Sequence, residues 1–239
     1  MLKNIVFDLG NVLVKFDSNE LIYSFFNERQ EEVKSFYFDS LWDEYDQGLY
    51  SVEGMIEKGV KQFPELELNI KELMYHWTEF VIPLKDNVAY IKDLKRFGYK
   101  VYILSNIPED DTKYLRSCGV FDNIDGGGVF SYEYKKIKPD PEIFHILLKK
   151  YDLKASECLF LDDRKDNVVA ASNLGFETIE VYKKPTVGVI STGNEITLQG
   201  NELPYGKIYD VNGNMIKNDA ISCGADAKFL GTVKDNYDQ

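Results

Sequence analysis

The feature that most constrains the fold is a set of short apolar runs, far apart in the sequence, that each lead directly into polar residues. The runs and the polar residues that follow them are Ile5–Phe7 before Asp8, Val101–Leu104 before Ser105 and Asn106, Ile137 before Lys138, and Leu159–Leu161 before Asp162 and Asp163. Along the chain these runs therefore lead, in order, to a carboxylate, a hydroxyl, a lysine and a carboxylate pair. Their order predicts a phosphoryl-transfer site.

The spacing of these runs indicates a parallel α/β sheet, because strand and helix patterns alternate along most of the chain. The predicted elements are the strands Lys3–Phe7, Tyr99–Leu104, Cys158–Leu161 and Thr178–Tyr182, and the helices Asp86–Phe97, Asp110–Ser117, Pro141–Tyr151 (with Asp140 as N-cap) and Asp166–Leu174. We therefore predict a Rossmann-like, doubly wound parallel sheet. Ligands of such sheets bind beyond the carboxyl ends of the strands, so Asp8, Ser105 and Asp163 should converge there.

The segment from about residue 18 to residue 82 has a different character from the rest. It contains amphipathic helical stretches rich in Glu, Phe, Tyr and Leu, with breaks near Gly48 and Pro64 and no convincing strand. This pattern predicts a small helical domain inserted after the first strand.

Composition excludes several classes of function. The formal charge of −12 argues against non-specific binding to nucleic acid or to an anionic membrane. No stretch approaches the roughly 18 apolar residues of a membrane span, and the first strand begins too early for a signal peptide. Cys118, Cys158 and Cys223 are isolated and odd in number, so we expect reduced thiols in a cytoplasmic protein. Only two histidines are present, which makes a histidine-centred metal site or a Ser-His-Asp triad hard to build.

The polar motifs together resemble those of the haloacid dehalogenase-like (HAD) hydrolase superfamily, in its branch of sugar-phosphatase-like proteins with a small helical cap. The motifs are Asp8-x-Gly10-Asn11-Val12, Leu104-Ser105-Asn106, Lys138-Pro139-Asp140 with Ile143-Phe144, and Leu161-Asp162-Asp163 with Asn167. The resemblance covers residues 1–182. It implies a hydrolase core of residues 1–16 and 83–182, with a helical cap of residues 17–82.

The resemblance also implies a role for each motif residue in a Mg²⁺-dependent phosphatase of a small phosphorylated metabolite. Asp8 would be the nucleophile, and Asp8, the Gly10 carbonyl and Asp163 would be metal ligands, a set of hard oxygens that suits Mg²⁺. The remaining implied roles are metal-site support from Asp162 and Asn167, phosphoryl contacts from Ser105 and Asn106, a fixed positive charge from Lys138, and substrate contacts from the cap residues Trp42, Tyr45 and Asp46.

The chain departs from the family pattern at Gly10, where most phosphatases of the superfamily carry a second Asp as general acid and base. Three interpretations stay open: a substrate with a good leaving group, proton transfer by water or by the substrate itself, or weak catalysis. The Asp-Leu-Gly-Asn opening resembles bacterial sugar-phosphate phosphatases that act on α-glucose 1-phosphate. Because an anomeric hydroxyl is more acidic than an ordinary alcohol, we favour a sugar 1-phosphate.

Two other interpretations of this part of the chain remain. Dehalogenases of the superfamily also lack the second Asp, but they need no metal and typically replace the carboxylate pair, which this chain keeps at Asp162 and Asp163. Each motif taken alone is also common as a turn, a helix cap or a solvated loop. A catalytically weak binding module that has kept the fold is the other interpretation. The four motifs in the family's order favour the phosphatase.

Residues 183–239 have a different sequence pattern from the preceding residues, and we predict that they form a partial α/β segment. They contain an apolar strand at Val187–Ser191, a helix at about Met215–Cys223 and a short strand that ends at Phe229-Leu230-Gly231. The segment resembles the start of the molybdopterin-binding domain of molybdopterin molybdotransferases, although Asn194 replaces a usual Asp and the later pterin-binding segment is missing. A molybdenum-cofactor fusion or fragment is therefore the alternative function. We expect this tail to be a passenger, because a fragment this small buries little surface.

Overall fold

A computed structural model of the chain describes residues 1–180, 185–198, 200 and 202–235. The chain divides into two compact units, Met1–Val181 and Tyr182–Gln239. The predicted domain boundary at residues 182 and 183 lies outside the described residues, as does the end of the strand predicted at Thr178–Tyr182. Among the described residues, no helix combines the length and the apolar character that a membrane crossing requires.

The first unit is an α/β structure with a helical insertion. Its strands are β1 (Asn4–Phe7), β2 (Val14–Lys15), β3 (Ile82–Pro83), β4 (Lys100–Ser105), β5 (Gly128–Phe130), β6 (Cys158–Asp162) and β7 (Glu177–Glu180). Its α-helices are α1 (Ser18–Phe25), α2 (Gln30–Phe36), α3 (Trp42–Asp46), α4 (Val52–Gln62), α5 (Glu67–His76), α6 (Lys85–Arg96), α7 (Glu109–Ser117), α8 (Ser131–Tyr134), α9 (Pro141–Lys150) and α10 (Lys165–Asn173).

A parallel sheet in the order β5-β4-β1-β6-β7 forms the central layer of the described first unit. The chain winds outward from β1 through β4 to β5 and then returns to β6 and β7 on the other side of β1. The strand order therefore reverses at β1, which opens a crevice beyond its carboxyl end. The predicted doubly wound parallel sheet is confirmed.

Both faces of the sheet are covered by packed side chains, as a parallel sheet requires. Because successive side chains of a strand point to opposite faces, Ile5 and Phe7 join the apolar cluster that continues into the insertion, whereas Val6 joins a second cluster. Phe144 of α9 packs in that second cluster and is fully buried. Asp140 caps α9 as predicted, since its carboxylate accepts a hydrogen bond from the Glu142 backbone amide at 2.9 Å.

Strand β5 was not predicted, because it begins at the last of three consecutive glycines, which show no apolar pattern. Gly128 is required where β5 begins, since a Cβ atom there would lie 2.7 Å from Cβ of Ile103 in the neighbouring strand. Gly126 and Gly127 precede it with φ angles of 69° and 88°, which glycine adopts at low cost. The glycine run therefore brings the edge strand close to β4.

The helical insertion forms a cap that leaves and re-enters the core through a short antiparallel ribbon. In this ribbon Val14 pairs with Pro83 and Lys15 pairs with Ile82. The expectation of no strand between about residues 18 and 82 was therefore wrong at Ile82, the last residue of that segment. Asp17 caps α1 by accepting from the Asn19 amide at 2.9 Å. The predicted breaks are present, since α3 ends at Asp46 before Gly48 and α4 ends before a 3-10 turn at Pro64–Leu66.

The second unit contains a strand–helix–strand motif. Its elements are β8 (Thr186–Thr192), β9 (Ile196–Thr197), β10 (Ile208–Tyr209), α11 (Asn212–Ser222) and β11 (Asp226–Val233). The apolar strand of the prediction lies within β8 and pairs in parallel with β11. Helix α11 begins three residues before the predicted start. It packs closely on β11: a Cβ atom at Gly213 would lie only 2.3 Å from the Phe229 ring.

Candidate active site

The carboxyl ends of the three central strands bring together side chains that are far apart in the sequence. Phe7, the last residue of β1, pairs with Ile103 in β4 and with Leu161 in β6. Asp8 therefore lies level with the ends of both neighbouring strands, and its backbone amide donates to the Leu161 carbonyl at 2.9 Å. Ser105 ends β4 and Asp162 ends β6, so each of these strands extends one residue beyond its predicted end.

Lys138 connects two of these carboxylates from the loop before α9. Its Nζ atom lies 2.7 Å from Oδ1 of Asp8 and 2.6 Å from Oδ2 of Asp162, and the residue is only 2% exposed. Burial acts to lower the pKa of the Lys138 amine, but Asp8 and Asp162 outweigh it and hold that pKa above its ordinary value. Lys138 is therefore a fixed positive charge beside Asp8.

Asp8, Asp162 and Asp163 form a cluster that has the composition of a divalent-cation site. Each offers one carboxylate oxygen, and these oxygens all lie within 4.8 Å of one another. Burial raises the pKa of Asp8 to about 6 although Lys138 opposes this, and burial also raises the pKa of Asp163. Three carboxylates with one buried ammonium leave two negative charges uncompensated. An oxygen-only set with this charge fits Mg²⁺.

The hydrogen bonds divide the cluster into supporting and available carboxylates. Asp162 is fully buried and accepts from Lys138, from the Arg164 amide at 2.8 Å and from Nδ2 of Asn167 at 3.0 Å. Asp8 and Asp163 keep more of their oxygen surface open. Asp162 and Asn167 are thus hydrogen-bonded to each other, while the predicted ligand roles of Asp8, Asp163 and the Gly10 carbonyl stay predictions.

Asn11 holds Asp163 in place, a role that the sequence did not reveal. Its Nδ2 atom donates to Oδ2 of Asp163 at 3.1 Å. Asn11 has a φ angle of 54°, in the left-handed region that Asn tolerates better than most residues. The position of Asn11 in the turn after Gly10 was the available signal, but only the fold shows that this turn meets the end of β6.

The two residues after Val101–Leu104 have different surroundings. Ser105 lines the cavity above Gly10, and its predicted phosphoryl contact stays a prediction. The Asn106 side chain instead holds the backbone of Lys138, with its Oδ1 accepting from the Lys138 amide at 2.7 Å and its Nδ2 donating to the Lys138 carbonyl at 2.9 Å. Asn106 thus positions the lysine, and its predicted phosphoryl contact stays a prediction.

A cavity of about 170 Å³ lies between Gly10 and the cap. Its lining residues come from the turn after β1, the cap and the loop after β4, and they are Leu9, Gly10, Val14, Phe16, Phe38, Trp42, Asp46, Trp77, Val81, Ser105, Asn106, Ile107, Pro108 and Asp111. The cap side is aromatic: the Trp42 ring stacks on Phe38 at 4.3 Å and meets Trp77 edge-on at 5.1 Å between centroids. The cavity therefore combines an apolar wall with polar groups at its base.

The three cap residues predicted to contact substrate do not share one location. Trp42 and Asp46 line the cavity above Gly10. The Tyr45 ring is only 2% exposed and packs against Trp42 and Trp77, and Tyr45 borders a separate crevice with Asp110 and Lys113. Tyr45 therefore supports the wall of the cavity from behind.

Two further residues at this site were missed by the sequence analysis. Asp111 is 6% exposed, lines the cavity, and its Oδ1 atom has no hydrogen-bond partner in the described part of the chain. Burial, reinforced by Asp110, raises the pKa of Asp111 to about 8.

Ser131 joins the cap to the core, because its hydroxyl accepts from the Ile107 amide at 2.8 Å and donates to the Asp46 carbonyl. Neither residue lies in a recognisable motif.

Comparison with known proteins finds relatives of two kinds. A molybdopterin molybdenumtransferase from Bacillus subtilis is 35% identical over 68 residues, which are 28% of this chain and 16% of that protein. This similarity falls on the C-terminal part and confirms the predicted resemblance of the tail. The expectation that the tail is a passenger stays a prediction.

The similarities of the larger unit are to hydrolases. A D-ribitol-5-phosphate phosphatase from Bacteroides thetaiotaomicron is 28% identical over 196 residues, 75% of this chain and 92% of that protein. The solved structure of a HAD family enzyme from the same organism, in complex with magnesium and inorganic phosphate, superposes with a TM-score of 0.64 at 24% identity and covers 77% of this chain and 96% of that one.

The family model of haloacid dehalogenase-like hydrolases matches residues 2–175. That range includes Asp8, Ser105, Lys138 and the Asp162-Asp163 pair, which the fold brings to one edge of the sheet. The chain belongs to the haloacid dehalogenase-like hydrolase family.

Proposed function

We propose that the chain is a Mg²⁺-dependent phosphatase that hydrolyses a small phosphorylated metabolite through an aspartyl-phosphate intermediate. The observation that carries this proposal is the buried Lys138 ammonium between Asp8 and Asp162, with Asp163 in the same carboxylate cluster. A dianionic phosphate approaches a carboxylate nucleophile only where the negative charge is compensated. Mg²⁺ held by Asp8, the Gly10 carbonyl and Asp163 would supply the missing positive charge.

The chain's own residues divide the work of the reaction. Asp8 attacks phosphorus with the carboxylate oxygen that Lys138 does not hold, and the phosphoryl group is transferred to Asp8. Lys138 and the Ser105 hydroxyl stabilise the charge on the phosphoryl oxygens. The aromatic cap side chains exclude water until the leaving group departs, and water then hydrolyses the acyl phosphate.

Two classes of substrate are supported by different observations. The missing side chain at Gly10 favours a sugar 1-phosphate, whose leaving group needs less protonation. The similarity to a D-ribitol-5-phosphate phosphatase favours a polyol phosphate, which has an ordinary alkoxide leaving group. Relative kcat/KM on D-glucose 1-phosphate, D-glucose 6-phosphate and D-ribitol 5-phosphate distinguishes the two classes.

The test is phosphate release by the full chain with and without Mg²⁺, compared with the variant Asp8→Asn. The amide neither attacks phosphorus nor ligates Mg²⁺ well, so activity should fall to the background while thermal unfolding shows an intact fold. A matched control is Asp43→Asn, the same change at an exposed position of α3. Release by Asp8→Asn within about twofold of the parent would refute the nucleophile, since loss of a nucleophile costs far more. Metal-independent halide release from a 2-haloacid would favour a dehalogenase instead.

A further inference from the structure

Gly10 leaves the turn after β1 without a proton donor for the phosphatase reaction. It has no side chain, although the space beside it is open: a Cβ atom there would meet only Oδ2 of Asp8, at 3.8 Å. Departure of an ordinary alcohol from phosphorus needs a proton, which a positioned carboxyl group usually supplies. The remaining carboxyl groups of the cavity lining are Asp46 and Asp111.

We propose that Asp46, at the end of cap helix α3, is the general acid and base of this reaction and replaces the carboxyl group that Gly10 does not provide. The inference rests on the proposed phosphatase function. Asp46 lies on the cap side of the cavity, with Gly10 and Ser105 on the core side. A phosphate ester held at Asp8 and Ser105 therefore directs its leaving group toward the cap, where Asp46 lies.

The surroundings of Asp46 suit a proton donor. Its carboxyl group makes no hydrogen bond or ion pair with any residue in the described ranges, so it is free to contact a ligand. The charged groups that act on it are Asp43 on its own helix, Asp111 on α7, Asp8 after β1, and Arg164. Burial, followed by the three carboxylates, raises the pKa of Asp46 well above its ordinary value against the opposing effect of Arg164. A protonated carboxyl also does not repel the incoming phosphate.

The backbone of Asp46 is fixed relative to the core. The Ser131 hydroxyl donates to the Asp46 carbonyl and accepts from the Ile107 amide. Ile107 directly follows Ser105 and Asn106. Ser131 is fully buried at the start of α8. This bridge sets the distance between the last residue of α3 and the phosphoryl-binding loop, so Ser131 is a positioning residue for Asp46.

Asp46 donates a proton in the first half-reaction and regains one in the second. A carboxylate oxygen of Asp8 bonds to phosphorus as the bond from phosphorus to the leaving oxygen breaks, and the Asp46 proton passes to that oxygen, which departs as an alcohol. Asp46, now ionised, then takes a proton from a water molecule whose oxygen attacks phosphorus. The bond from Asp8 to phosphorus breaks, inorganic phosphate leaves, and Asp46 is protonated again.

The test compares leaving groups. Asp46→Asn should lower kcat for alkyl phosphates (D-ribitol 5-phosphate and D-glucose 6-phosphate) about 100-fold, the usual scale of general acid catalysis. With p-nitrophenyl phosphate, whose leaving group needs no proton, the variant should release one nitrophenolate per enzyme in a rapid burst and then turn over slowly, because the base for hydrolysis is missing. Adding Gly10→Asp to Asp46→Asn should restore alkyl phosphate hydrolysis.

The controls separate this role from a structural one. Asp86→Asn, the same change at an exposed position of α6, should keep the parental ratio of alkyl to aryl rates. Equal losses on both substrates in Asp46→Asn without a burst, or a leaving-group effect only in Asp111→Asn, would overturn the assignment. So would a parent that hydrolyses p-nitrophenyl phosphate but no alkyl phosphate. A parent that hydrolyses neither would instead refute the proposed phosphatase function.

Discussion

Replacing Asp111 by asparagine should stabilise the folded chain, and the gain should increase with pH. Asp111 is 6% exposed, and its Oδ1 atom has no hydrogen-bond partner in the described part of the chain. An ionised carboxylate in such a place is costly because it has lost water without gaining a compensating partner. Asparagine has nearly the same shape and carries no charge, so Asp111→Asn removes this cost without leaving a void.

The magnitude follows from the pKa of Asp111, which burial and Asp110 raise from 3.8 to about 8. The folded state therefore holds the proton more tightly than the unfolded state, so stability is lost as pH rises between these two values and the full cost applies above the higher one. Linkage gives a cost of about 2 kcal/mol at pH 5 and about 4 kcal/mol at pH 7. Asp111→Asn should thus gain roughly 2 kcal/mol more at pH 7 than at pH 5.

Urea denaturation of the parent and of Asp111→Asn at the two pH values measures this difference in the free energy of unfolding. Asp43→Asn is the matched control, since that carboxylate is exposed and should give no pH-dependent gain. A stability difference between Asp111→Asn and the parent that is the same at both pH values would refute the reasoning. It would mean that Asp111 is already ionised and compensated in the folded protein.

Four further outcomes are expected. Lys138→Met should lower the free energy of unfolding by about 3–5 kcal/mol, because Asp8 and Asp162 lose their buried partner, and Mg²⁺ should recover part of this loss in thermal unfolding. EDTA should stop phosphate release and Mg²⁺ should restore it. Ser131→Ala should cost about 1–3 kcal/mol in urea denaturation, since the buried Ile107 amide loses its acceptor. Truncation after Lys183, which lies outside the described residues, should leave phosphatase activity and Mg²⁺ dependence intact, and loss of either would show that the tail is part of the enzyme.

The core of the fold could be predicted because its strands leave local signals. Val101–Leu104 and Leu159–Leu161 are apolar runs followed by polar residues, which is the pattern of a buried parallel strand with a functional carboxyl end. The expectation that Asp8, Ser105 and Asp163 converge then followed from sheet geometry alone. Strand β5 left no such signal, because the reason for Gly128 is its close approach to Ile103, a contact between residues far apart in the sequence.

The site was predictable where a residue acts through its position at a strand end, and not where it acts through a contact between elements. Lys138 was identified by its motif, but its two ion pairs depend on how the loop before α9 crosses the sheet. The motif predicted a phosphoryl contact for Asn106 but gave no sign that its side chain also holds the backbone of Lys138. Ser131 has no motif at all, and its bridge from the cap to Ile107 exists only once α3 and α8 have packed.

The choice of substrate depends on which side of the cavity supplies the proton. If no residue replaces the carboxyl group that is missing at Gly10, the enzyme is restricted to acidic leaving groups such as the anomeric hydroxyl of a sugar 1-phosphate. If Asp46 donates the proton, the leaving group no longer needs to be acidic, and alkyl phosphates become accessible. Specificity then depends on the aromatic wall formed by Phe16, Trp42 and Trp77, whose rings meet one another at centroid distances of 5.1 to 6.3 Å. Because Trp42 and Asp46 lie on the same short helix, substrate shape and proton transfer would both be set by the cap, while the core supplies the phosphoryl chemistry.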